Sequence, residues 1–283
     1  MNRWLLGICL AWLTCTAGAE DLSAVRNQTE ASMLLTGTIV LAPDGSVSSY
    51  SIDHLDQVVD VVKPMLEKNI AHWKFLPVME GNKPVAAQAK MSLRIVATRL
   101  DNGKYAMAIR GVHFGQRTPG EQPTFAQKPK LMYPLNALQS GVSGTVYLLV
   151  RVNRQGQVEN AGAEQVNLRL VAREKQMEHW RQVLADTSLN AVKSATFHIP
   201  TSGALANADN WVVRIPISFD LREHGSAAPD SYGRWQSYIP GPKQKLSGFD
   251  KQNIASNNTD AIPDNGLYLA DQSLHLVSPL SGI

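Results

Sequence analysis

The chain is 283 residues long, 44% hydrophobic and 18% charged, with a formal net charge of +3 at neutral pH. That length can bury a real core in one or two domains, and the composition is that of an ordinary globular protein. A charge so near neutral gives no ground for nucleic acid as a partner.

Residues 1–19 read as a secretory signal peptide. Arg3 supplies the positive start, Trp4 to Leu13 a short apolar run, and Ala17-Gly18-Ala19 a small-x-small cleavage site. The run is shorter than the ~20 residues a spanning helix needs, so cleavage is expected rather than retention as a membrane anchor. Both cysteines, Cys9 and Cys15, lie in this segment. The mature chain is therefore left without a disulfide, a cysteine–zinc site or a cysteine nucleophile.

Residues 20–115 read as a first α+β domain. Leu35, Gly37, Ile39 and Leu41 alternate with Thr36, Thr38 and Val40 as a strand, Pro43-Asp44-Gly45 turns the chain, and Ser46 to Ile52 returns. Asp56 to His72 reads as a helix, with Pro64 in the first turn of its main part. Trp73-Lys74-Phe75-Leu76-Pro77 ends that helix, and Val85 to Thr98 alternates again as a strand. Asp101-Asn102-Gly103 turns into Tyr105 to Phe114, which can pair back on it. Residues 116–130, rich in Pro, Gly and Gln, read as a linker.

Residues 131–221 repeat the plan. Tyr133-Pro134 leads into a short helix at Ala137, and from Gly144 the run Thr145 to Val152 sets Val146, Leu148, Val150 and Val152 on one strand face. Asn153-Arg154-Gln155-Gly156 turns the chain into a weaker strand at Gln157-Val158. Leu170, Met177, Trp180 and Leu184 recur at helical spacing, so residues 168–186 read as an amphipathic insertion packed on the domain's own sheet. Asp186-Thr187-Ser188 then offers caps for a separate helix from Leu189 to Ala195. Phe197-His198-Ile199-Pro200 matches the earlier Trp73 to Pro77 step. The closing strand sets Trp211, Val213, Ile215, Ile217 and Phe219 on one face. Pro216 has no amide to give to a ladder, which argues for an edge strand, and an open edge is where a second chain can add a strand. Residues 222–283 are dense in Ser, Gly, Pro, Asn, Asp and Gln without apolar period, and are expected to form a low-order tail.

The search for chemistry returns little. The seven histidines show no H-x-x-x-H or H-E-x-x-H spacing, so no metal or cofactor is expected. Gly141-Val142-Ser143-Gly144 is one residue short of a nucleophile elbow and reads as a helix-to-strand turn. Asp44, Asp53, Asp56 and Asp60 read as turn and cap residues, and no catalytic residue is assigned.

Tyr133, Pro134 and Ala137, then Gly141, Gly144-Thr145-Val146, Gly156 and Val158, then Leu189, Ala191-Val192, Phe197, Pro200 and Trp211 to Phe219, together resemble the TonB C-terminal domain family. Residues 33–98 resemble it with fewer matching positions, lacking the tyrosine–proline element. The resemblance implies two such domains, each a small antiparallel sheet on one or two helices, with Tyr133, Pro134, Ala137, Gly144 and Gly156 in structural roles. It also implies a periplasmic protein that binds outer-membrane receptors or inner-membrane motor components, in service of energy-dependent transport across the outer membrane. Two other function classes stand beside this one: a structural envelope protein that forms homodimers edge to edge, and a periplasmic hydrolase.

Overall fold

The computed structural model describes residues 29–100, 103–115, 119–221, 232–249, 259–271 and 273–280. The expected signal peptide, residues 1–19, lies outside them.

Period-two alternation builds a first antiparallel sheet. Strands β1 (Glu30–Leu41), β2 (Val47–Ile52), β5 (Ala87–Arg99) and β6 (Tyr105–Gly115) come from residues 30–115, and β12 (Gln236–Tyr238) comes from the tail. The order is β12-β1-β5-β6, with β2 on the same side of β1 as β12 but further along it. Met33, Leu35, Ile39 and Leu41 of β1 point into one core with Leu93 and Ile95 of β5. Helix α1 (Lys63–Ile70) lays Met65, Leu66 and Ile70 on that face. Trp73, Phe75 and Phe114 meet edge to face there, with centroids 5.1–6.4 Å apart, each contact adding about 0.5–1.5 kcal/mol beyond burial alone. The helix is shorter than the expected Asp56 to His72: Leu55–Gln57 form a single 3-10 turn, and Pro64 holds the N-terminal end of α1. A small hairpin, β3 (Val78–Glu80) and β4 (Lys83–Val85), precedes β5.

The second sheet runs β13-β11-β8-β9, from β8 (Gly144–Asn153), β9 (Val158–Leu168), β11 (Asn210–Phe219) and β13 (Tyr268–Leu269). Val146, Leu148, Val150 and Val152 are fully buried beneath α3 (Glu174–Val192), together with Met177, Trp180 and Leu184. The opposite face is buried as well, because the tail sets Leu246, Phe249 and Ala270 on Leu149 and Val212. The expected low-order tail is thus corrected for its described parts. Its few apolar residues are spent at separate points on both sheets, where backbone pairing adds to them.

Two further boundaries differ from the sequence reading. The insertion and the helix after it are one helix, α3, of 19 residues. Thr187 and Ser188 do not cap a new helix, because their hydroxyls donate to the carbonyls of Val183 and Leu184 one turn back, a pattern that leaves the helix continuous. The expected linker contains β7 (Thr124–Gln127), which pairs with β10 (Thr196–His198) and stacks Phe125 on Phe197 at 5.3 Å. The protein is therefore α+β, mostly antiparallel, with three helices among the described residues.

Candidate functional site: strand edges and a polar seam

Tyr133, Pro134, Ala137, Gly144 and Gly156 serve the second sheet. Tyr133 packs edge-on against Phe219, centroids 5.4 Å apart, and its hydroxyl donates to the carbonyl of Val142. Pro134 caps the short helix α2 (Leu135–Gln139), whose Ala137 is fully buried. A side chain on Gly144 would collide with the carbonyl of Asn167. Gly156 has φ +71° and lies against Phe197, so it too admits no side chain.

The closing strand is not open. Trp211, Val213, Ile215, Ile217 and Phe219 all lie in the core, none more than 5% exposed. One edge of β11 pairs with β8 in unbroken register from Asn210↔Asn153 to Phe219↔Gly144. Its other edge is taken by the tail: Val213 and Arg214 pair with Leu269 and Tyr268 of β13. On either side of that pair, Ala270 N–H donates to Val212 O at 2.9 Å and Asn265 N–H to Pro216 O at 3.1 Å. Pro216 has no amide to donate, as the sequence implies, but its carbonyl still accepts, and a polar segment closes the edge with main-chain groups alone.

Strand β6 is an outer strand of the first sheet, at the end opposite β12. It pairs with β5 from Arg99↔Tyr105 to Lys90↔Gly115. On its outer side Ser273 donates N–H and Oγ to Phe114 O, at 3.1 and 3.3 Å, Val112 has a partner of its own, and over residues 105–111 no other strand lies against it among the described residues. Leu100 N–H donates to Lys104 O at 2.7 Å. The alternation of an antiparallel ladder then turns the main-chain groups of Tyr105 and Met107 outward. Tyr105 is 62% exposed and Arg110 is also exposed. By contrast, β9 is partly covered, with Ile239 bridged to Leu168 and Gln244 N–H on Glu164 O at 2.8 Å.

Between the sheets runs a polar seam. Arg94 of β5 donates Nε to the carbonyl of Asp260 at 2.9 Å and Nη1 to Ser32 Oγ at 2.9 Å. Its Nη2 also meets the Asp260 carbonyl, and lies 3.4 Å from Tyr147 Oη of the second sheet. The Tyr238 ring sits 5.6 Å from this guanidinium, and the Tyr238 hydroxyl lies 3.0 Å from Glu30 Oε2 and 3.3 Å from Asp260 Oδ2. Asn167 Nδ2 donates to the same Asp260 oxygen at 3.0 Å. Burial pushes the phenols of Tyr147 and Tyr238 well above their ordinary range, so both stay protonated. Burial works against the Arg94 charge, and Tyr147, Asp260, Tyr238 and Asp264 together more than offset it. Burial also raises the Asp264 carboxyl, against the pull of Arg169 and Arg94.

Two cavities open along this seam. The larger, about 890 Å³, lies between β5–β6 residues such as Met91 and His113 and the Trp211 end of β11. The smaller, about 310 Å³, is lined by Arg94, Arg169 and Arg234 with Tyr147 and Tyr238. Pro263 and Asp264 line both. The composition of the tail gives no signal of this seam, and its arginines and tyrosines come from separate segments that share no motif. Among the described residues no cluster of His, Cys, Asp and Glu could hold a metal ion, and no helix is long and apolar enough to cross a membrane. Comparison with family models, characterised proteins and solved structures returns no match, so the reading of these sites rests on their geometry.

Proposed function

We propose that the protein is a periplasmic binding module that takes partner proteins by strand addition, at β6 and not at β11. The observation that carries this reading is the outer border of β6 over residues 105–111, against which no strand lies among the described residues. Such a border offers main-chain donors and acceptors to an extended segment, while Tyr105, Met107 and their neighbours choose among partners. The resemblance to the TonB C-terminal domain supports outer-membrane receptors or inner-membrane motor components as those partners, and so a place in energy-dependent transport across the outer membrane. The signal-like segment at residues 1–19 supports export.

The test uses Met107→Pro. The substitution removes an outward-facing amide and leaves the β5 ladder its donors. Pull-down from an outer-membrane extract should recover receptors with the wild-type chain and with Met107→Ala, and lose them with Met107→Pro. Undiminished capture by a folded Met107→Pro chain would sink the reading. The same border can also take a second copy of this chain; sedimentation of the purified protein as a dimer, abolished by Met107→Pro, would favour envelope assembly instead.

A further inference from the structure

We propose that the smaller seam cavity, about 310 Å³, binds a small oxyanion-bearing molecule, carboxylate or phosphate, held by Arg94, Arg169 and Arg234. This inference does not depend on strand addition at β6.

The three arginines reach the cavity from distant parts of the chain. Arg94 comes from β5, Arg169 from the residue after β9, and Arg234 from the tail just before β12. Three guanidiniums around so small a space repel one another. Among the described residues Asp264 is the one carboxylate that lines the wall, and burial favours its neutral form. Two of the arginines are braced from behind. Asp220 holds Arg169 Nη2 at 2.7 Å, while Asp260 receives Arg94 through its main-chain carbonyl. Bracing of this kind fixes the direction of a guanidinium and leaves its remaining N–H groups for a ligand.

Arg234 completes the set. It is exposed at the mouth, with no hydrogen bond or ion pair among the described residues. Its planar fork matches a carboxylate or a phosphate. Tyr147, whose oxygen lies beside Arg94, keeps its proton and can donate to a second polar group of the ligand. The volume lies at the lower end of the ~300–1,000 Å³ typical of ligand sites. It suits a molecule with a few heavy atoms and excludes a folded peptide.

The experiment is calorimetric titration and thermal unfolding of the full exported chain with citrate and with inorganic phosphate, against sodium chloride at matched ionic strength. A saturable heat and a raised Tm with at least one of the two anions are expected. Citrate alone would identify a carboxylate site, phosphate alone a phosphoryl site, and both a general oxyanion site. Arg234→Gln should keep the Tm of the unliganded chain and weaken binding about tenfold or more, the loss of one charge-assisted contact. Arg110→Gln, which removes an exposed charge on β6 away from the cavity, should leave affinity unchanged. The proposal is overturned by no saturable heat with either anion, by unchanged affinity in Arg234→Gln, or by an equal loss in Arg110→Gln.

Discussion

The amide of Phe197 donates to the carbonyl of Gly156 at 2.8 Å, fastening the chain after α3 to the hairpin turn of β8 and β9. The first sheet carries the same fastening, with Phe75 N–H on Gly45 O at 2.9 Å. Both glycines have positive φ, +71° and +79°, and in each a side chain would strike the carbonyl of the phenylalanine. The pairing is the atomic form of the repeated turn and aromatic step in the sequence.

Gly156→Ala and Gly45→Ala should therefore each lower stability by more than about 2 kcal/mol, combining left-handed backbone strain with a clash against main chain. Gly81 is the control. Its φ is also positive, +59°, but nothing lies within 4 Å of its missing side chain, so Gly81→Ala should cost only about 1 kcal/mol. Urea unfolding of the three variants checks the order; equal losses would mean that the clash plays no part.

A second expectation concerns the ion pair beneath the tail. Arg214 Nε lies 2.8 Å from Glu164 Oε2 and Nη2 lies 3.2 Å from Oε1, with both residues buried. Glu164→Ala takes the carboxylate from a buried guanidinium, whose bond to the Ala270 carbonyl cannot replace it, and should cost about 3–5 kcal/mol. The double variant Glu164→Leu, Arg214→Met removes both charges and should recover most of that loss. Chemical denaturation of the single and double variants decides it, and a double variant no better than the single would show that packing, not charge, holds this place.

A third follows from Asp264, whose carboxyl burial raises above the ordinary 3.8. A group with a raised folded pKa binds its proton more tightly in the native state. Its contribution is present in full below the unfolded value and fades as pH rises through the folded one. The groups facing it are Arg169 and Arg94, which pull the pKa down, and Asp220, which pushes it up. Asp264→Asn should then stabilise the protein at about pH 7 and change little near pH 4. A Tm series over that span reads the result; the opposite slope would show that the arginines outweigh burial.

Much of the fold was legible. Leu35, Ile39, Leu41, Val146, Leu148 and Val150 all point where period two sends them, and the Asp44-Gly45 and Gly156 turns fall where glycine and side-chain acceptors demand. Local chemistry could not reveal how long α3 runs, because Thr187 and Ser188 serve a cap or a helix interior equally well until the i−4 carbonyls are in place. Nor could it reveal where the tail lies. Glu164, Gln165 and Asn167 are polar, yet all three are buried, since their partners come from far along the chain, Arg214 on Glu164 and the Gly241 amide on Asn167 at 3.1 Å. Arg94 and Tyr147 carried no motif at all; their meaning comes from meeting.

The tail visits the first sheet at β12, the second at Ile239, the seam at Asp260, the second sheet again at β13, and the first once more where Leu276 bridges Phe75. Contacts of such sequence separation form late and slow the search for the native state. Neither sheet acquires its final borders until residues beyond 268 have emerged. A chain so arranged stays unfinished until that stretch has joined both sheets.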